Sequence, residues 1–417
     1  MVGVSACLLL AAGYFSAPAR ALRALPDTVY VRADERARLR LPEGGALLQR
    51  TDERAVEASA SGDETLAQAG GGVGVGESET AGSRVTYRLF GLLPLRSVQV
   101  QPRREVLLTP GGEAVGITIR TQGVLIVGLG AVDAAEGALS PGSAAGLAAG
   151  DVILAADGVP VNDAEGLMAA CQRSGGNLRL TIDRNGEAVQ ADVPLVRDKN
   201  DGAARIGVWV RDSTAGVGTL SFCDVETGWF AALGHAVSDV DTQSLLSVRD
   251  GRILESEIVS VRKGETGNPG ELIGAFSVSG KPLGAILGNS EFGIFGSMDA
   301  PPDAEKTAVP MGYGYEAHTG EAEILATVAG KEVAAYRCEI LRVNAQSSAA
   351  VKGMIVEITD PALLAKTGGI VQGMSGCPVL QDGRLVGVVT HVFVNDPTRG
   401  YGVYAEWMWN ELRATAG

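Results

Sequence analysis

The sequence has few of the residues that most often bind metals or form cross-links. Its five cysteines are widely spaced and contain no Cys-x-x-Cys motif, so neither a zinc knuckle nor a dithiol redox pair is indicated. Three histidines are present, and the absence of a His-Glu-x-x-His motif argues against a zinc metalloprotease of that class. We therefore expect no metal and no cofactor, and we predict no particular disulfide.

Basic residues are also scarce, since 35 Lys and Arg face 49 Asp and Glu and the formal net charge is −14. Nucleic-acid binding needs concentrated positive charge, so we expect no nucleic-acid partner. Aromatic residues make up only 5%, whereas the 57 glycines separate many short runs of Val, Ile and Leu. That pattern predicts short strands joined by tight turns. A length of 417 residues predicts two or three domains.

Long apolar runs are absent except at the N-terminus, where residues 1–19 carry no charge. This run is short for a spanning helix, and Ala19-Arg20-Ala21 has the small-x-small pattern of a cleavage site. We expect residues 1–24 to be a signal peptide or an uncleaved membrane anchor. Residues 25–104 alternate enough to predict an N-terminal β region. It is interrupted at 51–84 by an acidic, Gly-rich segment that we interpret as a flexible linker or an exposed loop.

The next segment shows a specific order of strand, helix and turn patterns. Its features are the strand GVLIVGLG from Gly123, the run SPGSAAGLAAGDVIL from Ser140, a turn at Asp157-Gly158, helical spacing from Ala164 to Cys171, and a hairpin turning at Asn185-Gly186. This order resembles a PDZ domain, which we assign to residues 105–197. In PDZ domains a peptide adds as a strand to an exposed edge, and a Gly-rich loop binds its carboxylate.

The resemblance implies a peptide groove near the Gly-rich end of this strand, lined by Val124, Leu125, Gly128, Leu129 and Gly130. The alternative is a PDZ-like fold that only docks internally. From residue 200 to 417 the chain is a series of short, Gly-punctuated strands without long amphipathic helices. This favours a β-sandwich or barrel, with two barrels as one form of it.

A candidate nucleophile lies in the motif Gly373-Met-Ser375-Gly-Cys377-Pro, between an apolar run and a strand. A nucleophilic serine needs a tight turn and two backbone N–H groups directed at the developing oxyanion. Glycine permits such a turn. The motif resembles the chymotrypsin-class G-D-S-G-G-P, and that likeness implies an oxyanion hole formed by the N–H groups of Gly373 and Ser375. Alone, Gly-x-Ser-Gly is often only a turn.

A candidate general base is His235, which follows Gly234 at the end of an apolar stretch. A histidine with an ordinary pKa near 6.5 accepts a proton at neutral pH. His391 is the rival, but the alternation of VVTHVFV suits packing better than catalysis, and His318 lies among polar residues at a predicted surface.

Together LGHAVSD and KTGGIVQGMSGCPVLQDGRLVGVVTHVFVNDPTRGYGVYAEWM resemble the SpoIVB (stage IV sporulation protein B) peptidases over most of the chain. The resemblance implies a mostly β protein in which a PDZ domain precedes a chymotrypsin-like double β-barrel protease domain. It implies a serine endopeptidase with His235 as base, Ser375 as nucleophile and Asp360 as orienting acid. Cys377 and the 51–84 segment depart from the family pattern.

The family also implies a cellular role, namely export into the space between the forespore and mother-cell membranes during endospore formation. There the enzyme would cleave itself and a membrane-bound regulator, which releases an intramembrane metalloprotease to activate a sigma factor. The expected partners are therefore protein substrates, a peptide ligand of the PDZ domain and the chain itself.

Several alternatives stay open at this point. Asp360 precedes Pro361 and a short helical pattern, so it could serve only as a helix cap, and Asp239 and Asp241 are near His235 in sequence. A Ser/Lys protease of the tail-specific class is excluded because no Lys follows Ser375. High-temperature-requirement proteases carry their PDZ domain after the protease domain, whereas in this chain the predicted PDZ domain comes first. A non-catalytic PDZ adaptor with a degenerate protease-like domain is the remaining alternative.

Overall fold

The structure, a computed structural model, describes Ser16 and residues 27–31, 48–54, 83–89, 92–102, 105–300 and 307–417. The chain divides into two compact units, residues 1–106 with 344–350 and residues 107–343 with 351–417. The predicted signal peptide or anchor at 1–24, apart from Ser16, and most of the 51–84 segment lie outside the described residues. Within the described ranges, no helix has the length and hydropathy needed to cross a membrane.

The first unit contains a four-stranded sheet. Its strands are β1 (Thr28–Val31), β2 (Leu48–Arg54), β3 (Ser83–Leu89) and β4 (Leu93–Pro102). They lie in the order β1-β4-β3-β2, and Val85, Tyr87 and Leu89 are buried because alternate residues of a strand share one face. Strand β2 extends into the predicted linker, since Thr51–Arg54 pair with β3.

The second unit begins with the strands and helices of the PDZ domain and with one strand that precedes them. These elements are β5 (Leu107–Pro110), β6 (Ala114–Leu129), β7 (Val132–Ala134), β8 (Gly137–Leu139), α1 (Pro141–Ala144), β9 (Val152–Ala156), β10 (Val159–Pro160), α2 (Ala164–Arg173), β11 (Asn177–Arg184), β12 (Glu187–Pro194), β13 (Val196–Arg197) and β14 (Ala204–Arg205). Strands β12, β11, β9 and β6 are neighbours in one sheet. Ile153, Leu167 and Leu180 pack in one cluster between this sheet and α2.

Local sequence explains the elements of the PDZ domain. Helix α2 begins at Ala164 because the Asp163 carboxylate accepts a hydrogen bond from the Gly166 N–H at 2.7 Å. The β11–β12 hairpin turns at Asn185 and Gly186, whose φ angles are +56° and +87°. Both lie in the left-handed region that a two-residue hairpin turn requires. The predicted α+β arrangement is therefore confirmed.

The next group of strands forms a first barrel. They are β15 (Val208–Asp224), β16 (Trp229–Ala232), β17 (Val248–Arg262), β18 (Glu271–Phe276), β19 (Pro282–Ser290), β20 (Gly293–Met298) and β21 (Val309–Pro310). The ring runs β6-β17-β19-β20-β16-β15 and closes because β15 also pairs with β6. Phe230, Ile253 and Ile294 are fully buried in its core cluster.

The remaining elements form a second barrel. They are β22 (Gly320–Ala326), β23 (Ala334–Val343), β24 (Met354–Ile358), α3 (Pro361–Thr367), β25 (Pro378–Gln381), β26 (Arg384–Phe393), β27 (Asp396–Tyr404) and α4 (Ala405–Ala416). The closed order is β22-β23-β24-β27-β26-β25. Helix α4 packs against β16 and β20 of the first barrel and β26 and β27 of the second. The predicted double β-barrel is therefore confirmed.

Two long strands are common to the PDZ domain and the first barrel. The N-terminal half of β6 pairs with β17, while Val124 and Leu125 pair with β9 of the PDZ sheet. Strand β15 pairs with β6 along both halves, from Val208 to Thr219. The sequence placed the PDZ domain at 105–197 and the peptidase at 200–417. In the structure continuous strands, and not a linker, join the two domains.

Candidate active site

Ser375 lies on a tight turn between an isolated bridge at Gln372 and the start of β25. The flanking Gly373 and Gly376 have φ angles of +94° and +104°, in the left-handed region. A Cβ atom on Gly376 would lie 2.1 Å from the Thr219 carbonyl oxygen, so no larger residue fits there. The two glycines thus give Ser375 the kind of turn that a nucleophile needs.

The same turn carries two available hydrogen-bond donors. Among the described residues, no acceptor bonds to the backbone N–H of Gly373 or of Ser375. The N–H groups of Met374, Gly376 and Cys377, by contrast, all donate to backbone carbonyls. Two N–H groups that have no acceptor and lie beside a serine hydroxyl can stabilise the oxyanion that forms during acyl transfer.

His235 follows β16 after two residues with left-handed backbone, Leu233 at φ +72° and Gly234 at φ +71°. A Cβ atom on Gly234 would lie 3.0 Å from the Thr390 methyl carbon, so the chain passes close to β26 here. The Ser375 hydroxyl donates to the carbonyl oxygen of the same Thr390 at 2.6 Å. Thr390 thus contacts both segments, and the structure brings His235 and Ser375 to the same part of β26.

The hydrogen bond of His235 determines which ring nitrogen can act as a base. Its Nδ1 lies 2.8 Å from the Ala236 carbonyl oxygen. A carbonyl only accepts, so Nδ1 carries the proton and Nε2 keeps its lone pair. Burial lowers the pKa of His235 below its ordinary value of 6.5, with the bond to Ala236 acting in the opposite direction. His235 is therefore neutral at pH 7 and has the tautomer of a general base.

The structure does not bring Asp360 to His235. The Asp360 carboxylate accepts hydrogen bonds from the N–H groups of Ala362 at 2.9 Å and Leu363 at 3.1 Å, at the N-terminus of α3. These helix bonds, the one from Leu363 first, and the nearby Arg337 hold its pKa below the usual range. The physical reason is local, because Pro361 starts a helix whose free N–H groups bind the carboxylate. The triad role of Asp360 stays a prediction.

Asp239 and Asp241, the other two candidates, are engaged elsewhere. Both form ion pairs with Arg211, and Asp239 also accepts hydrogen bonds from Asp241 N–H and Thr242 N–H. Burial raises the pKa of Asp239, but these bonds outweigh it and the pKa is lowered. Among the residues with described positions, no carboxylate lies within hydrogen-bonding distance of His235.

The other histidines differ in their position relative to this site. His391 lies on β26 with its ring centroid 4.9 Å from that of His235, tilted by 40°. His318 is exposed and its Nε2 lies 2.9 Å from Asp382. In the described part of the chain, no group of three or more His, Cys, Asp or Glu is arranged to bind a metal ion.

The segment predicted to form the peptide groove is paired on both edges at its start and on one edge at its Gly-rich end. Val124 and Leu125 pair with β9, and Leu125 to Leu129 pair with β15. The N–H of Gly130 donates to the Gly207 carbonyl at 2.9 Å. At Val124 and Leu125 a peptide could add only by displacing β9 or β15, because each strand edge pairs with one neighbour. The segment lies inside the sheet because it pairs with β15, which comes about 80 residues later in the chain.

An unpaired edge occurs on the neighbouring strand. Within the described ranges, only β6 pairs with β15 between Val208 and Gly218. Helix α2 lies beside the first part of this edge. At one end of the helix the Ala164 N–H donates to the Asp212 carboxylate at 2.9 Å, and at the other the Gln172 carboxamide bonds to Ala204.

A double β-barrel with a serine turn beside a neutral histidine, joined to a PDZ domain, defines a chymotrypsin-like serine peptidase. The family model "SpoIVB peptidase S55" matches residues 202–409, and the PDZ domain model matches residues 130–195. The chain belongs to the SpoIVB peptidase S55 family. It is a serine peptidase with protein substrates and a peptide-binding PDZ domain.

Two solved structures show a weaker similarity to this chain. The active form of the Rv3671c protease from M. tuberculosis is 15% identical to this chain, with a TM-score of 0.28. The matched region covers 48% of this chain and 74% of the Rv3671c chain. The HtrA-type protease AlgW with decapeptide is 10% identical and covers 52% and 55%, with a TM-score of 0.29. Neither is similar enough to transfer an activity. No curated protein matches the chain.

Sequence reasoning did not single out Thr219 and Thr390, which both hydrogen-bond to the Ser375 turn. Thr390 adjoins His391 in a strand that the sequence indicates, but nothing local marks its carbonyl as a contact of the nucleophile. Thr219 lies in GVGTLSFCD, far from Ser375 in the chain. Only the packing of the two barrels places it there.

Proposed function

We propose that this serine peptidase is an endopeptidase in which Ser375 is the nucleophile and His235 the general base. The observation that carries this proposal is the Ser375 turn itself, where the N–H groups of Gly373 and Ser375 have no acceptor among the described residues and lie next to a hydroxyl and near a neutral imidazole. These are the groups that acyl transfer to serine requires.

The reaction needs one rearrangement from the state in the structure. The Ser375 hydroxyl must leave the Thr390 carbonyl and turn toward Nε2 of His235. Oγ then forms a bond to the substrate carbonyl carbon while its proton moves to Nε2, and the oxyanion accepts hydrogen bonds from Gly373 and Ser375 N–H. Collapse of this intermediate breaks the peptide bond, and the proton passes from His235 to the leaving amine. Water then hydrolyses the acyl-enzyme.

Asp360 is the orienting acid that the family resemblance implies. To take that role its carboxylate would have to leave the cap of α3 and reach Nδ1 of His235. In the described state the Ala236 carbonyl holds that proton. The proposal therefore rests on Ser375 and His235, and the part of Asp360 is a separate prediction.

We further propose the cellular role of the family for this chain, which is to cleave itself and a membrane-associated regulator during endospore formation. Its support is membership of the SpoIVB peptidase S55 family. The uncharged, apolar run at 1–19 supports export with membrane attachment or release into the intermembrane space. Self-cleavage is expected upstream of the PDZ domain, within the first hundred residues, because polar Gly-rich stretches such as 51–84 are preferred sites of proteolysis.

The PDZ domain is proposed to tether a peptide of a partner or of the chain's own leader. In the part of the chain that the structure describes, only β6 pairs with β15 from Val208 to Asp212, and the other edge, beside α2, supports a groove there rather than at Val124–Gly130. A peptide strand would pair with this edge while its side chains contact the helix.

Incubation of wild type and Ser375→Ala with a candidate substrate tests the proposal. We expect fragments only with wild type, and N-terminal sequencing of these fragments locates the cleaved bonds. The adaptor alternative is favoured by one observation, the bond of the Ser375 hydroxyl to Thr390 instead of His235. Equal fragment patterns for both proteins, or no fragments with either, would contradict the proposed endopeptidase.

A further inference from the structure

Thr219 makes three hydrogen bonds around the nucleophile turn, although it lies on β15 of the other barrel. Its hydroxyl donates to the Gly373 carbonyl at 2.7 Å, and its N–H donates to the Ser375 carbonyl at 3.2 Å. The Cys377 thiol lies 3.8 Å from the same hydroxyl and donates to it. Thr219 is 2% exposed, so water does not compete for these bonds.

The two carbonyls that Thr219 binds flank the part of the turn that acts in catalysis. A peptide group is planar, so holding its carbonyl fixes the orientation of the whole group. The Gly373 and Ser375 carbonyls belong to the peptide groups on either side of the Met374–Ser375 peptide, which carries the Ser375 N–H. The Gln372 carbonyl, in the peptide that carries the Gly373 N–H, is held by the Leu272 N–H at 2.8 Å.

Thr219 holds the carbonyl ends of two peptide groups whose N–H ends, those of Met374 and Gly376, donate to the carbonyls of Val371 and Val389. Gly373 and Gly376 have no side chains, and glycine rotates its flanking peptide groups more freely than other residues. An oxyanion donor is effective only when it is directed in advance at the position where the charge develops. Loss of the bond to the Gly373 carbonyl would therefore loosen the donor geometry while the Ser375 hydroxyl stays in place.

We propose that Thr219 is a positioning residue that holds the oxyanion-binding N–H groups of Gly373 and Ser375 in their productive orientation. It touches neither substrate nor the reacting atoms, and it acts through the carbonyls of the turn. The inference rests on the proposed function of Ser375.

Thr219→Val tests the role because it removes the hydroxyl but keeps the branched shape and the backbone N–H. Thr219→Ser keeps the hydroxyl. Thr327→Val is the matched control, since Thr327 is also 2% exposed and its hydroxyl donates to the Gly112 carbonyl at 3.0 Å, with no bond to the Ser375 turn. The full-length chain is used, with melting temperature, kcat and KM for one peptide substrate and the rate of fluorophosphonate labelling measured for each variant.

We expect Thr219→Val to lower kcat and the labelling rate by about 10- to 100-fold with little change in KM, a smaller loss than deletion of an oxyanion donor. Thr219→Ser should stay within about threefold of wild type. Thr327→Val should melt like Thr219→Val, because each variant removes a buried hydroxyl that donates to a backbone carbonyl. Thr327→Val should nevertheless keep wild-type kcat, because the bond that it loses does not hold the Ser375 turn. A kcat of Thr219→Val equal to that of Thr327→Val would overturn the proposal. If Thr219→Val does not fold, Thr219→Ala against Thr327→Ala gives the same comparison. Full cleavage by Ser375→Ala would instead remove the proposed function itself.

Discussion

Two Gly-rich segments of this chain, the Ser375 turn and the strand end at Val124–Gly130, differ in what their backbones leave free. At the Ser375 turn two N–H groups have no acceptor within the described structure. In the Val124–Gly130 segment the strand pairs with β9 at Val124 and Leu125 and with β15 from Leu125 to Leu129. Both were predicted to bind through backbone groups; the turn has two donors directed at one place, whereas the strand is already paired with β15 over most of its length.

The difference shows where glycine is informative. At the turn, glycine permits left-handed φ angles at Gly373 and Gly376, a local property that sequence can indicate. At the strand, the question is which edge stays unpaired, and this depends on where distant strands return. The available edge of β15 lies next to the predicted segment and not within it.

The largest effect expected is the loss of catalysis in Ser375→Ala. Removal of the nucleophile should lower kcat by about 10⁶, the order of the loss when a catalytic serine is removed from a serine peptidase, with little change in melting temperature. Val124→Ala provides the contrast. It removes two methyl groups from a fully buried position, so it should lower the free energy of unfolding by about 2 kcal/mol. The chemistry of the folded enzyme should stay intact. Thermal melting and peptide cleavage are measured for both.

Asp360→Asn separates the two roles of this carboxylate. Asparagine caps helices about as well as aspartate, so the contacts of Asp360 in the structure predict unchanged melting and more than about a tenth of wild-type activity. A triad role predicts unchanged melting with a rate loss of about 10⁴. Steady-state kinetics of the purified variant decide between them, and the larger loss would show that Asp360 leaves its cap during catalysis.

Met168→Lys tests whether the peptide groove lies between β15 and α2. Met168 is 61% exposed and lies one turn before Gln172 on the face of α2 that bonds to Ala204, beside the free edge of β15. A charge there should change the rate of self-processing severalfold without affecting melting. Val159→Lys, on exposed β10, is the control and should process like wild type. Equal rates for the two variants would argue against a groove between β15 and α2.

The smallest effect expected is a shift in pH dependence. Burial lowers the pKa of His235, so its neutral, basic form should persist below pH 6.5 and the acid limb of kcat/KM should have its midpoint below that value. The lowered pKa of His235 also makes the folded protein less stable at acidic pH. The unfolded chain binds this proton more readily, so the contribution of His235 to stability is present above pH 6.5 and is lost as pH falls from 6.5 through the lower pKa of the folded protein. A midpoint above 6.5 in a pH–rate profile would contradict a buried base.

Local patterns in the sequence predicted strands of a sandwich or barrel, the PDZ domain and the residues of the turn, whereas the double barrel itself was implied by the family resemblance. The Asn185-Gly186 hairpin, the α2 periodicity and the glycines around Ser375 each act within a few residues. The shared strands β6 and β15, the free edge beside α2 and the contacts of Thr219 depend on pairing between distant segments. The Asp360 cap was visible in Asp-Pro followed by a helical pattern, but only the structure shows that its carboxylate is bonded there.

The central claim is that Ser375 is an activated nucleophile, and its chemical reactivity tests this most directly. Folded, full-length protein is incubated with a fluorophosphonate near neutral pH, and the modified residue is identified by mass spectrometry. We expect one labelled site, Ser375, with labelling abolished in Ser375→Ala and strongly slowed in His235→Gln. Folded wild-type protein that remains unlabelled at every pH near neutral would contradict the claim and favour a non-catalytic adaptor.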